Sequence, residues 1–318
     1  MARKYLPSTR ALEDGLRGIF ANGSVGGRVA VLARSSNVYS STAPSEIVRC
    51  RLGDERELTL LCKYSLGARG NSFGHRGGGP YEAMVYRHVL EPLEASAPVL
   101  HGVRVDPTTQ STWLVLEYVD GFSRGMSRDS MFLAAVWAAA FHRAAEALQP
   151  CLTELTVYDR SYYSGWAART EEFAGAASKR RPWLATVCAR FTEQGPDLLG
   201  AQPTVIHGEY YPHNVLSRHH REIHPVDWES AARAAGEIDL ASLTEGWPAA
   251  YASRCESLYQ QVRWPGGTPY DFGRALAAAR IYLALRWLGE SPAQTRSRLS
   301  RPYFEQLQRQ GEELQWLD

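Results

Sequence analysis

At 318 residues, with 35 Lys plus Arg against 34 Asp plus Glu, the chain is long enough to bury two cores and has no broad basic field for nucleic acid or an anionic membrane. Its five cysteines (Cys50, Cys62, Cys151, Cys188, Cys255) are odd in number and include no C-x-x-C pair, which fits reduced thiols in a cytoplasm rather than a disulfide framework. The start of the chain lacks an apolar leader, and the most apolar run, residues 131–141, is too short to span a bilayer, so a cytoplasmic protein with a small-molecule partner is expected.

Residues 29–32, 46–52 and 57–64 are rich in strand formers and predict an antiparallel meander. Gly53-Asp54 suits a tight turn, and residues 35–45, rich in Ser, Asn and Thr, suit a longer loop. The Gly-rich stretch 67–79 buries too little apolar surface to order itself and reads as a lid or a linker. Pro80 then opens a helix in which Tyr81, Met84, Val85, His88 and Val89 recur at helical spacing, with Pro92 near its end. The apolar run 113–119 predicts a strand that stops at Asp120-Gly121, which sets the expected boundary between an N-terminal lobe, 1–119, and a C-terminal lobe, 120–318. Beyond it, helices are predicted over 130–148, 161–172, 182–193 and 270–288, interrupted by the segment 204–226.

That interruption carries the chemistry. Val205-Ile-His-Gly-Glu-Tyr-Tyr-Pro-His-Asn-Val-Leu is a tight polar loop, followed from Ile223 by His-Pro-Val-Asp-Trp-Glu. Phosphoryl transfer asks a protein for a carboxylate to take the acceptor proton, oxygen ligands for magnesium and a cation on the phosphate chain. Glu209, Asn214 and Asp227 supply the first two, and the apolar flanks of the loop look like strands able to return Asp227 towards it.

The run His207-Gly-Glu-x-x-x-x-Asn214, then Asp227-Trp-Glu and Asp239-Leu-Ala, resembles the aminoglycoside phosphotransferase and choline kinase group of protein-kinase-like enzymes. The resemblance implies an α+β, bilobal kinase-like fold, with a small antiparallel-sheet lobe, a mainly helical lobe, and ATP or GTP bound between them. It implies that Glu209 is the catalytic base, that Asn214 and Asp227 bind Mg2+, that His207 braces the loop, and that Asp239 anchors the loop from a following helix. Upstream, Lys63 is similar in position to the family lysine on the nucleotide phosphates, Glu82 to its ion-pair partner, and Glu117, Tyr118 and Val119 to the hinge that meets the base. Ser36 and Asn37 fall in the corresponding phosphate loop, which is poor in Gly here. The family's usual base is Asp, so Glu209 is one methylene longer. A subset with His-Gly-Glu is similar in this respect, and Tyr158-Asp-Arg-x-Tyr-Tyr also looks like that subset.

Simpler readings stand beside these. His207, His213, His219, His220 and His224 form no H-E-x-x-H pattern and read as turn residues rather than a zinc site. Aromatic residues between Tyr158 and Trp166 read as core, and Arg274, Arg280, Arg286, Arg296, Arg298 and Arg301 as a solvated face. The sequence supports an O-phosphotransferase acting on a small hydroxyl compound, with a nucleotide-binding pseudokinase or an adenylyl-transferring kinase-like protein as alternatives.

Overall fold

The computed structural model describes residues 6–21, 28–38, 44–65, 73–74, 76–107, 109–120, 126–148 and 153–317. Most of the Gly-rich stretch 67–79 and positions 39–43 of the expected phosphate loop lie outside the described residues. The chain forms two compact units. The first comprises Met1–Asn71, Arg76–Phe122 and His224–Glu229; the second comprises Ser72–His75, Ser123–Ile223 and Ser230–Asp318.

The first unit is built on a five-stranded antiparallel sheet of order β1-β2-β3-β5-β4. Its strands are β1 (Val29–Ser36), β2 (Ser45–Leu52), β3 (Glu57–Ser65), β4 (Leu100–Val105) and β5 (Thr112–Glu117). Strand alternation decides what each face does. Val48, Cys50 and Leu52 of β2, with Leu60, Cys62 and Tyr64 of β3, turn to one face and pack with Leu12 and Leu16 of helix α1 (Thr9–Phe20). Leu61, Lys63 and Ser65 therefore turn to the other face, where helix α2 (Gly78–Val85) lies; its Gly79 amide donates to Ser65 Oγ at 3.2 Å. Neither α1 nor β4 was expected. α1 carries Arg, Glu and Asp between its apolar positions, and Gly15 lets it approach Trp113, whose ring an added Cβ would meet at 2.4 Å. β4 is half-buried from Leu100 to Arg104 and exposed at Val105, so it lacks a clear alternation.

In the first unit two expected boundaries move, and in the second the helix expected over 182–193 runs on to Gly200. β1 runs on through Ser35 and Ser36, so the following loop starts later than expected. α2 begins two residues before Pro80, which sits in the first turn where its missing N–H costs nothing, and continues as a π-helical turn over Tyr86–Leu90.

The second unit is mainly helical. It contains α3 (Arg128–Ala145), α4 (Arg160–Ala174), α5 (Trp183–Gly200), α6 (Glu237–Thr244), α7 (Ala249–Arg263), α8 (Phe272–Gly289), α9 (Pro292–Thr295) and α10 (Arg301–Glu313). Ser127 caps α3 and Asp159 caps α4, each side chain accepting from a backbone amide in the first turn. α8 is buried on nearly every side, as an apolar helix at the centre of a bundle must be, and the small residues Ala134, Ala135, Ala138 and Ala139 belong to the same core. Strands are present as well: β6 (Pro203–Ile206), β7 (Val215–Arg218) and β9 (Ala232–Ala235), while β8 (Glu222–Pro225) begins in this unit and ends in the first. β6 pairs antiparallel with β9 from Pro203↔Ala235 to Ile206↔Ala232, which fixes where the chain leaves β6 at His207. α6, which carries Asp239, is the helix expected after the loop, whereas β6, β9, α7, α9 and α10 are additions to the expected elements. Among the described residues, no helix is long and apolar enough to cross a membrane.

Candidate active site

In the first unit the structure brings Lys63, Glu82 and Asp227 together. Lys63 Nζ donates to Glu82 Oε2 at 2.6 Å and to Asp227 Oδ1 at 2.7 Å. Glu82 is 1 % exposed, and its second oxygen accepts from the Trp228 amide at 3.3 Å. Burial pulls the Lys63 ammonium down, yet the two carboxylates outweigh it and hold the group above its ordinary range. One cation thus serves two anions. Asp227 has φ 71°, a left-handed conformation uncommon for a residue with a side chain, so the surrounding chain holds it there against a local preference.

Glu229, two residues on, had no assigned role. Its Oε1 is buried without a hydrogen bond, with Arg76 Nε 3.7 Å away, and its main-chain oxygen accepts from Gly77 N at 2.8 Å. Burial first, then the Asp227 charge, pushes its carboxyl up to about 7.

The hinge candidates follow β5. Glu117 N donates to Val99 O at 2.8 Å and Tyr118 N to Thr59 O at 3.1 Å. Val119 is buried, and among the described residues its amide has no hydrogen-bond partner. Ser36 ends β1 opposite Glu46, while Asn37 closes the base of its loop, donating from N to Ser45 O at 3.2 Å and from Nδ2 to Ser45 Oγ at 3.1 Å.

In the second unit the loop after β6 is fastened by Asp239, in the first turn of α6. His207 N donates to Asp239 Oδ2 at 2.7 Å and Gly208 N to Asp239 Oδ1 at 2.9 Å. A carboxylate holding two backbone amides is a strong local brace. Gly208 has φ 80°, and a Cβ there would meet Ser230 O at 2.1 Å, so both backbone and space demand glycine. The Glu209 amide donates to His207 Nδ1 at 3.3 Å, and Asn214 Nδ2 donates to Glu209 O at 3.0 Å across a 3-10 turn, Pro212–Asn214. His207 and Asp239 therefore meet at the start of the loop, and Glu209 and Asn214 meet within it.

Behind Asp239 lies a buried chain that sequence reasoning missed. His142 Nε2 is 3.1 Å from Asp239 Oδ2, His142 Nδ1 is 2.8 Å from Tyr259 Oη, and Arg263 Nη1 donates to Tyr259 Oη at 2.6 Å. Gly236 leaves room for it, since a Cβ there would lie 2.0 Å from Arg263 Nη1 and 2.3 Å from Tyr259 Oη. Desolvation lowers the His142 imidazole despite the opposing pull of Asp239.

Arg286 corrects an expectation. It does not belong to a solvated face: it is 6 % exposed on α8 and donates from Nη1 to Gly208 O at 2.8 Å. From Nη2 it reaches Glu209 Oε1 at 3.2 Å and Tyr211 Oη at 3.3 Å. A signal was present in the sequence: Arg286 is a charge set in the apolar run Ile-Tyr-Leu-Ala-Leu-Arg-Trp-Leu, residues 281–288, which a buried helix would carry only with a partner. Tyr158, Tyr162, Tyr163 and Trp166 lie in the core, with Tyr158 stacked on Tyr162 at 3.9 Å between ring centroids.

Comparison with known proteins gives the class. The model of the phosphotransferase enzyme family matches residues 80–276, more than half of the chain. This chain belongs to the phosphotransferase enzyme family. It shares its fold with the GDP complex of wild-type aminoglycoside 2'-phosphotransferase-IIIa at 12% identity and TM-score 0.59, over 96% of this chain and 99% of that one. Choline kinase LicA from Streptococcus pneumoniae is similar at 13% identity and TM-score 0.60, over 96% and 100%. A putative aminoglycoside phosphotransferase from Ralstonia eutropha JMP134 is similar at 14% identity and TM-score 0.63, over 94% and 98%. These neighbours bear out the α+β kinase-like fold. No curated protein matches the chain by sequence.

Proposed function

We propose that the protein transfers the γ-phosphoryl group of ATP or GTP to a hydroxyl of a small molecule. The observation that carries this reading is the half-buried Lys63 cation held between Glu82 and Asp227, an arrangement with excess negative charge that suits a site for a metal-loaded phosphate chain. The family match and the GDP named in one structural neighbour support it.

In this reading residues 1–119 form the nucleotide-binding lobe and residues 120–318 the catalytic and acceptor lobe. Glu117, Tyr118 and Val119 receive the base, with the Val119 amide as a donor, and Ser36 and Asn37 border the phosphates. Lys63 neutralises phosphate charge while Glu82 keeps its ammonium aimed. Asp227 and Asn214 are the proposed Mg2+ ligands, and the buried, unbonded Glu229 Oε1 adds a third hard oxygen; carboxylate and carboxamide oxygens fit that ion. When bound, magnesium would offset the negative charge of the phosphates. Glu209 takes the proton of the acceptor hydroxyl as its oxygen attacks phosphorus in line, and the nucleoside diphosphate leaves. Asp239 and His207 keep the Glu209 backbone in place during that step.

The test is thermal stability with ATP or GTP, with and without magnesium, followed by a mass screen of hydroxyl-bearing acceptors. A ligand bound by the folded state alone raises the melting temperature. A magnesium-dependent rise is the expected result, and no rise at millimolar nucleotide contradicts the proposal.

A further inference from the structure

Glu209 carries one more rotatable bond than an aspartate would at its position, and an unrestrained carboxylate there would sample several rotamers at a cost to any step that needs one of them. Arg286 removes that freedom. Its guanidinium bonds the Gly208 carbonyl, the Glu209 carboxylate and the Tyr211 hydroxyl, so one rigid group spans the residues before, at and after the acid. Both members of the ion pair are buried, their side chains 7 % and 9 % exposed. A guanidinium stays protonated and presents only donors, so at this depth it needs an anion. Around it are the Tyr211 ring at 5.9 Å, the Tyr282 hydroxyl bonded to Tyr162 Oη at 2.9 Å, and the charge of half-buried Glu245. Of these groups, the carboxylate to which it donates a hydrogen bond is Glu209.

We propose that Arg286 is the positioning residue of the Glu209 carboxylate, and that the reach of this pair is matched to glutamate. The role in catalysis rests on Glu209 acting as base; the pairing itself does not. Aspartate at this position would withdraw the carboxylate by about 1.5 Å, one carbon–carbon bond, which takes the 3.2 Å contact beyond hydrogen-bond distance. Lysine at 286 would keep the charge but not the planar fork that serves the carbonyl and the carboxylate together.

A double-mutant cycle on the full chain tests the pair. Arg286→Met leaves Glu209 buried without its cation and is expected to lower the melting temperature by about 5–10 °C. In the Glu209→Gln background the same change should cost at least about 3 °C less, because the neutral amide has no charge to strand. A purely structural arginine, held by Gly208 O and Tyr211 alone, would cost the same in both backgrounds, and that additivity would overturn the proposal. If Arg286→Met does not fold, Arg286→Gln, which also removes the cation, is carried through the same cycle with the same criterion. Glu209→Asp supplies the second arm: it should lower the melting temperature and cut the Arg286 coupling, whereas full coupling with aspartate would refute the matched reach. Each variant is also melted with Mg-ATP. A missing nucleotide shift in the unmodified protein defeats the proposed function and leaves the coupling result readable.

Discussion

The Lys63 cluster and the Asp239 brace both gather charges in buried places, yet they are made differently. Lys63, Glu82 and Asp227 satisfy one another through side chains, with one cation for two carboxylates. Asp239 spends both of its oxygens on backbone amides and is backed by His142, Tyr259 and Arg263. The first arrangement can exchange partners when a ligand brings its own charge. The second fixes the main chain and has no such freedom. In the proposed reaction the first would receive a charged nucleotide and the second would keep the proposed base, Glu209, from moving.

Substitution should separate the two. Asp239→Ala strands the His207 and Gly208 amides and the His142 imidazole at once, an expected loss of about 3–5 kcal/mol, or about 6–15 °C in melting temperature. A loss near zero would show that the brace is ornamental. Lys63→Met should cost less in the ligand-free protein, about 1–3 kcal/mol, because Glu82 can take up a proton when its cation is removed. Its larger effect is on nucleotide: the magnesium-dependent thermal shift should disappear. A Lys63→Met protein with an unchanged shift would break the distinction between the regions.

The smallest expected effect is a pH dependence from His142. Its folded pKa is depressed by burial, below the unfolded value of about 6.5. As pH falls through that value the unfolded chain takes up the proton first, so this stabilisation is complete at higher pH and drains away on acidification towards the folded pKa. The melting temperature of the unmodified protein should therefore fall between pH 7 and pH 5 more steeply than that of His142→Gln. Equal slopes would mean that folding leaves the His142 pKa where it is in the unfolded chain, contrary to this account.

The parts legible in the sequence are those encoded by neighbours. β2 and β3 show a clean alternation, and His207, Glu209 and Asn214 sit within one eight-residue loop, so spacing alone drew attention to them. Arg286 was obscured because its partner Glu209 is 77 positions away, and a single arginine looks the same in sequence whether it faces water or a buried acid. His142 was hidden likewise, 97 positions from Asp239 inside an Ala-rich helix. Glu229 lay in plain view beside Asp227, but what sets it apart is burial without a hydrogen bond, which only packing reveals. α1 was missed for a local reason, since its Leu12 and Leu16 are diluted by charged residues and gain their meaning from Trp113 across the sheet.

The most direct measurement follows a labelled γ-phosphoryl group from Mg-ATP into a panel of hydroxyl-bearing small molecules, read by acceptor mass, with Glu209→Gln run in parallel. The account predicts an acceptor heavier by one phosphoryl group, and a rate about 100-fold or more lower for Glu209→Gln with its nucleotide thermal shift intact. An adenylyl adduct, or transfer at an equal rate by Glu209→Gln, would contradict it.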